Sequence, residues 1–191
     1  MSAKSLDSQI IASAVLGSVE GALSNLPGII PTDSPKTKEL EIEEYEGCMK
    51  ATGVEKFESS SYLSVINYYL SNSDLEHHKP KGTLILYLGS ENAGKFYKAL
   101  GFKVPEDEDD ASMLEACGKF CNSLGESFKN KLKESGYGGL VMSIPENYKN
   151  SVMGGAEFSA EQATIQEFSF FYWRNKAIVV EVVFADIPRR A

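Results

Sequence analysis

Apolar residues recur at three- and four-residue spacing in two long stretches of the chain, and this period predicts two amphipathic helices. The first helix covers residues 7–26, with Asp7 as its N-cap, and stops at a Pro-Gly pair. The second helix covers residues 111–135, and Gly136 follows it where glycine commonly ends helices. Acidic residues precede this second helix and lysines fill its last turns, which is the charge order that the helix dipole favours.

Other stretches are rich in β-branched and aromatic residues and predict strands. Residues 62–70 and 83–89 are separated by a polar stretch and predict an antiparallel pair. Residues 140–145 predict a further strand that a proline ends. Residues 164–174 and 177–187 predict a hairpin. Its second strand is apolar on both faces apart from one glutamate, which favours the centre of a sheet or an interface between subunits.

The remaining segments carry weaker patterns. Ser90 is the predicted N-cap of a short helix over residues 91–101. Residues 28–60 are acidic and poorly patterned, and they favour either a loop or an irregular surface strand. Residues 146–162 are polar, contain two adjacent glycines and predict a loop.

Strands that are interrupted by helices predict an α+β fold, in which helices cover one face of a largely antiparallel sheet. The length of 191 residues, with no clear internal boundary, favours a single domain over residues 1–191. Within it, residues 1–60 hold the first helix and the poorly assigned acidic segment, and residues 61–191 hold the core of the fold. The two halves have a similar order of elements, but no motif repeats clearly.

The charge balance is acidic, with 27 Asp and Glu against 19 Lys and Arg and a formal net charge of −8. Nucleic acid is not an expected partner, because phosphate backbones are held by clustered Lys and Arg. No apolar run approaches the roughly 18 residues of a membrane helix, and no segment resembles a signal peptide. The three cysteines are an odd number without C-x-x-C spacing, and this favours reduced thiols over disulfides. We expect a cytoplasmic protein that contacts no membrane, and a homodimer is left open.

Four polar residues share one side of the second predicted helix, opposite its apolar stripe. They are Glu115, Lys119, Asn122 and Glu126. The simplest interpretation is a solvated helix face, since Glu115 and Lys119 have the favourable i,i+4 order of an ion pair, worth about 0.3–0.5 kcal/mol. These four residues, which we call the ridge, gain a further interpretation from the downstream sequence.

The chain from residue 82 to its end resembles the CheC/CheX family of chemotaxis phosphatases. A glycine-led strand, GTLILYLG, is followed by a short helix, then by the helix DASMLEACGKFCNSLGESFKNKLKESG, and then by a strand that ends in SIP. The family pattern is Asp or Ser, three residues, Glu, two residues, Asn, 22 residues and Pro. The resemblance covers more than half of the chain and implies the α+β fold that the periodicity predicts.

The family pattern can be placed on this sequence in two registers. In the first, 22 residues separate Asn122 from Pro145, so Asn122 takes the Asn position, Lys119 takes the Glu position and Glu115 takes the Asp or Ser position. In the second, Glu115 is the family Glu and Gly118 falls at the Asn position. The first register is preferred because it keeps the downstream spacing. The signature is incomplete in both.

The resemblance implies a partner and a mechanism. In the family, a helix edge docks a CheY-like receiver domain whose aspartyl phosphate is held with Mg²⁺, and the Asn amide orients the attacking water. The family Glu pairs with the active-site Lys of the receiver. Because Lys119 stands at the position of the family Glu, Glu115 and Glu126 on the same ridge would have to take over that pairing. Asn122 and Glu115 are the candidate catalytic residues, and Lys119 and Glu126 are candidate binding residues. The protein would need no cofactor of its own, because the Mg²⁺ belongs to the receiver.

Two functions stay open. One is a chemotaxis or two-component signalling protein that docks a CheY-like response regulator and hydrolyses its aspartyl phosphate. The other is a non-catalytic module that keeps the fold for dimerisation or ligand-linked signalling. Lys119 favours the second function, since it would meet the receiver's lysine with like charge. The intact spacing from Asn122 to Pro145 favours the first.

Three other patterns predict structure rather than chemistry. His77 and His78 are adjacent in a polar stretch, and adjacency alone does not direct two imidazoles to one metal ion. Cys117 and Cys121 lie on or beside the apolar stripe of the helix, which favours buried thiols over nucleophiles. The aromatic run over residues 170–173 lacks a basic patch, so packing is favoured over base stacking.

Overall fold

The computed structural model describes residues 6–190, which form a large antiparallel sheet with its longer helices on one face. The helices are α1 (Ser8–Leu23), α2 (Val54–Phe57), α3 (Asn72–Glu76), α4 (Ser90–Ala99) and α5 (Asp110–Glu134). The strands are β1 (Pro31–Glu41), β2 (Glu44–Tyr45), β3 (Cys48–Met49), β4 (Ser61–Tyr69), β5 (Gly82–Gly89), β6 (Val141–Met142), β7 (Glu146–Lys149), β8 (Thr164–Tyr172) and β9 (Asn175–Phe184).

Within residues 6–190, the large sheet has seven strands in the order β1-β8-β9-β5-β4-β6, and β7 also pairs with β4. Every strand pair in it is antiparallel. The predicted α+β fold is confirmed, as are the antiparallel pair β4–β5, the hairpin β8–β9 and the central position of β9. No helix within these residues is long and apolar enough to span a membrane.

Both faces of the sheet are buried, and side-chain alternation along β9 separates them. Ile178 and Val180 join the core under α1, α4 and α5. Val179 and Val183 join a smaller core on the opposite face. β3, the segment between β3 and α2, and the segment beyond β7 cover that second face through Met49, Ala51, Val152 and Phe158 among others. The central strands β4, β5 and β9 therefore have few polar positions, whereas the edge strand β1 is polar and mostly exposed.

The helix ends follow the predicted capping chemistry, with one correction. The Asp7 carboxylate accepts a hydrogen bond from the backbone N–H of Gln9 at 3.0 Å. Asp109 caps α5 in the same way through the N–H of Ser112, at 2.9 Å. The prediction of Ser90 as an N-cap was wrong by one residue, since Gly89 is the N-cap and makes no side-chain hydrogen bond there.

The polar segments hold more structure than their sequences predicted. Of the two alternatives for residues 28–60, the irregular surface strand is the correct one for β1, which pairs with β8 through two register shifts. The predicted loop over residues 146–162 was wrong at its start, because β7 pairs there with the outer side of β4. The strand predicted over residues 140–145 is shortened to β6, and Pro145 lies in the interruption between β6 and β7.

Two glycines allow α5 to lie close to β4. A Cβ atom at Gly125 would lie 2.7 Å from Ile66 Cδ1 and 3.0 Å from Met142 Sδ. The Tyr68 hydroxyl donates a hydrogen bond to the Gly125 carbonyl at 3.0 Å. Two helical turns earlier, a Cβ atom at Gly118 would lie 2.5 Å from the Asn147 amide nitrogen. This close approach fixes which side of α5 remains exposed.

The second face contains a buried group of charged residues. Glu167 and Glu181 are directly opposed on β8 and β9, and their side chains are only 1% and 3% exposed. Lys56 of α2 contacts both carboxylates at 2.5 Å. Burial raises the pKa of Glu167, but the hydrogen bond and charge of Lys56 outweigh burial, and the net pKa is lowered. Lys56 thus favours the ionised form of Glu167 in a buried site.

We predict that Lys56→Met lowers the free energy of unfolding by about 3–5 kcal/mol, because, within residues 6–190, it removes the one cation that contacts buried Glu181 and leaves buried Glu167 only the exposed Lys38, at 3.3 Å. Urea denaturation at neutral pH measures the loss. Lys50→Met is the matched control, since Lys50 also contacts two glutamates, Glu43 and Glu55, but on the exposed surface. It should change stability little. Equal losses in the two variants would contradict the role assigned to Lys56.

The difference in stability between wild type and Lys56→Met should also depend on pH. The folded-state pKa of Glu167 is lowered, so the stability that its ionised form contributes is present above the unfolded-state pKa, ordinarily about 4.3. This contribution is lost as the pH falls through the lowered folded-state pKa. The difference in stability between wild type and Lys56→Met should therefore narrow in acid, as denaturation between pH 7 and pH 3 can measure.

We also predict that Gly125→Ala destabilises the protein by about 1–3 kcal/mol, because the added methyl group overlaps Ile66 and Met142. Gly21→Ala in α1 is the control, since a Cβ atom there meets nothing within 4 Å. That control should stabilise the protein by up to about 1 kcal/mol through helix propensity. Denaturation of both variants checks the pair, and stabilisation by Gly125→Ala would contradict the close contact.

Candidate functional site

The four ridge residues lie together on the solvent side of α5. Glu115, Lys119 and Asn122 are exposed, and Glu126 is half-buried. The opposite side of the helix carries the apolar stripe, with Phe120, Leu124 and Phe128 in the core among other residues. The helical period thus accounts for this arrangement as expected. The side with the two glycines, which faces β4, lies beside the ridge.

The charges of the ridge are paired along the helix. Lys119 Nζ lies 2.8 Å from Glu115 Oε1, and both side chains are more than half exposed. Lys129 Nζ lies 3.0 Å from Glu126 Oε2. Each acid of the ridge therefore has a lysine of the same helix as its neighbour. Exposed pairs of this type are weak, so a partner with a better-placed charge can displace them.

An open recess of about 450 Å³ borders the ridge. It lies between α5 and the segment that joins β6 to β7. Its lining residues are Phe102, Glu115, Gly118, Lys119, Asn122, Ser123, Pro145 and Asn147. The fold thus brings Asn122 and Pro145 to one site, as their 22-residue spacing suggested. Glu126 is the one ridge residue that does not line this recess.

A residue that adjoins the recess in the chain is apolar and exposed. Ile144 precedes Pro145 in the interruption between β6 and β7, and it is 82% exposed. Ser143 anchors this interruption, since its N–H donates to the Asn67 carbonyl and its hydroxyl accepts from the Asn67 N–H, both at 2.9 Å. An exposed apolar side chain next in the chain to Pro145, which lines the recess, is suited to contact with another protein.

The sequence did not identify Asn147 as a site residue. Its amide projects into the recess because β7 pairs with β4, so that Asn147 lies opposite Ser64 on the face that carries α5. The Ser64 hydroxyl donates to Asn147 Oδ1 at 2.7 Å. A signal was present in the alternation of Glu146, Asn147 and Tyr148, but it is meaningful only if these residues form a strand.

The start of α5 is held to the sheet beside the recess. Asp110 contacts Lys149 of β7 at 2.7 Å and accepts a hydrogen bond from the Tyr62 hydroxyl at 3.1 Å. The Lys149 ammonium and the Tyr62 hydroxyl lower the pKa of Asp110. Burial, followed by the hydrogen bond to Asp110, raises the pKa of Tyr62 to about 12. These contacts join α5, β4 and β7 into one unit around the recess.

The chemistry available in the recess is that of amides and surface charges. Cys117 and Cys121 are fully buried in the core behind it. Burial raises the pKa of the Cys121 thiol to about 12 and that of Cys117 further, so neither supplies a thiolate. The recess can position groups by hydrogen bonding, and it holds no histidine or cysteine that could serve as a base or nucleophile.

The other candidate patterns lie away from the recess. His77 Nδ1 contacts the Ser73 carbonyl at 2.7 Å, and His78 Nδ1 lies 3.4 Å from Glu157. Among residues 6–190, no three His, Cys, Asp or Glu side chains gather as a metal site would require. In the aromatic run, Phe170 and Tyr172 are buried in the helix-side core.

Several solved structures resemble this chain over nearly its whole length. The chemotaxis protein CheX from Desulfovibrio desulfuricans is 16% identical with a TM-score of 0.57, over 92% of this chain and 99% of that chain. FliY from Thermotoga maritima is 16% identical with a TM-score of 0.59, over 94% of this chain and 92% of that chain.

A third structure is the CheX–CheY–BeF₃–Mg²⁺ complex from Borrelia burgdorferi. Its matching chain is 15% identical with a TM-score of 0.52, over 93% of this chain and 97% of that chain. No protein-family model and no curated protein sequence matches the chain. At such low identity the structural likeness establishes the architecture, and the chain has the CheC/CheX-like fold that its sequence resemblance predicted.

Proposed function

We propose that this protein docks a CheY-like receiver domain against the ridge and its recess, and that Asn122 promotes hydrolysis of the receiver's aspartyl phosphate. The observation that carries the proposal is the exposure of Asn122 in the same recess as Pro145. The similar CheX of B. burgdorferi was solved in a complex with CheY, BeF₃ and Mg²⁺. This likeness supports a receiver as the partner class, and the recess supports the place of contact.

The proposed chemistry is positional. An Asn amide has both a donor and an acceptor, so it can hold a water molecule in line with a phosphoryl group. The receiver supplies the acyl phosphate and the Mg²⁺ that neutralises the developing charge. This chain then needs no group with a shifted pKa and no metal. The amide and hydroxyl side chains of the recess fit that requirement.

Lys119 limits how well the docking can work. By the family resemblance, this position faces the active-site lysine of the receiver, and two ammonium groups would repel each other. The contact with Glu115 draws the Lys119 ammonium along the ridge and leaves the Glu115 carboxylate beside the recess. We propose that Glu115 pairs with the receiver lysine, with Lys119 reducing the affinity.

We predict that Asn122→Ala slows dephosphorylation of the cognate receiver about a hundredfold, because the attacking water loses its orientation. The receiver is phosphorylated with a small-molecule donor in Mg²⁺, and the decay of its phosphate is followed with and without this protein. Asn130→Ala is the control, since Asn130 is also exposed on α5 but lies outside the recess. Equal decay rates with wild type and Asn122→Ala would contradict the catalytic role.

We predict that Lys119→Glu binds the receiver at least about tenfold more tightly, because a like-charge contact becomes an attractive one. Affinity is measured with a beryllofluoride-activated receiver at low and high salt, and the gain should shrink at high salt. Lys133→Glu makes the same charge change at an exposed position of α5 outside the recess. Equal gains from both variants would show general attraction rather than a contact at Lys119.

A second candidate function is a non-catalytic module that binds the receiver and leaves its phosphate intact. The observation that favours it is Lys119, which occupies the acid position of the preferred register and is paired with Glu115. Binding and hydrolysis separate the two functions. Tight binding to the activated receiver with no increase in its dephosphorylation rate would support the module.

A further inference from the structure

We propose that Asn147 is a second contact residue of the recess, whose amide Nδ2 donates a hydrogen bond to an anionic oxygen of the bound partner. The inference rests on the proposed function and names a residue for it that lies outside α5. The residue belongs to β7, and the fold brings it beside Asn122 and Lys119.

The orientation of the Asn147 amide is fixed from the sheet side. Asn147 and Ser64 are directly opposed on β7 and β4, so their side chains leave the same face of the sheet. The Ser64 hydroxyl, which is fully buried, donates to Asn147 Oδ1 at 2.7 Å. Because the oxygen of the amide is engaged with Ser64, its nitrogen is the end that remains for other contacts.

On the helix side, the Asn147 amide fills space that is open because residue 118 is a glycine. A Cβ atom at Gly118 would lie 2.5 Å from Asn147 Nδ2 and 2.8 Å from Asn147 Oδ1. Real Cβ atoms do not approach other atoms so closely, so the amide occupies the space that any side chain at position 118 would need.

The remaining donor capacity of Asn147 faces the recess. Among residues 6–190, its side chain makes the Ser64 contact and no hydrogen bond through Nδ2, and the residue is exposed. A held NH₂ group in a recess that a lysine and a second amide also line is suited to an anionic oxygen, since such donors need no reorganisation when the anion arrives. A phosphoryl oxygen of the receiver's aspartyl phosphate is the anion that the proposed function brings to this recess.

The test uses Asn147→Asp in the full chain. Aspartate keeps the acceptor that Ser64 requires and replaces the NH₂ donor with a second oxygen, so the fold is retained while the proposed contact becomes repulsive. We expect dephosphorylation of the receiver to slow about ten- to hundredfold, and affinity for the beryllofluoride-activated receiver to fall. The urea midpoint should stay that of wild type. Asn130→Asp makes the same change outside the recess and should leave rate and affinity unchanged.

Gly118→Ala tests the same contact without adding charge. The methyl group expels the Asn147 amide from its place, while alanine favours the helix at this position. We expect the same loss of rate as with Asn147→Asp. A purely structural role of Asn147 predicts wild-type rate and affinity for Asn147→Asp, because the Ser64 contact survives.

The outcomes separate this inference from the proposed function. Loss of rate with Asn122→Ala, together with wild-type rates for Asn147→Asp and Gly118→Ala, would overturn the role of Asn147 and leave the proposed function standing. A wild-type protein that neither binds the activated receiver nor speeds its dephosphorylation would overturn both. Loss of rate in all three variants, with an unchanged urea midpoint for Asn122→Ala and Asn147→Asp, would support both.

Discussion

The close contact between α5 and β4 determines where every candidate group lies. It depends on Gly118 and Gly125, which present backbone to the sheet where a Cβ atom would overlap Asn147 or Ile66. With that side of the helix against the sheet and its apolar stripe in the core, the remaining arc must face solvent. The ridge occupies this arc. Each glycine costs helix propensity, and in return the helix edge and the β6–β7 segment are near enough to form one recess.

The sequence was informative where periodicity is strong. The long helix, the acidic residues before it and Gly136 at its end follow local rules, because charge order and apolar spacing determine them within a few residues. The exposure of Asn122 followed from the same period. The hairpin of β8 and β9 was also predictable, since both strands are long and rich in aromatic and β-branched residues.

The sequence did not predict strand pairing or ion pairs that depend on residues distant in the chain. β7 is a short strand of four polar residues, and it forms because β4 offers an unpaired edge. Asn147 could not be assigned to the recess until that pairing was known. Lys56 is similar, because its role depends on two glutamates more than a hundred residues away in the chain. Propensity carries no information on either contact.

The net charge of −8 is a poor guide to the docking surface, because each acid of the ridge is paired with a lysine of α5. Glu115 with Lys119 and Glu126 with Lys129 are two pairs of opposite charge on one helix. Balanced pairs produce little long-range field, so partner selection at this surface must depend on short-range contacts. Those contacts are held by β4, whose Ser64 orients the Asn147 amide while the neighbouring Leu63 and Val65 pack into the opposite core. Because β4 is packed on both faces, it moves little, and it holds the recess residues that contact it in place.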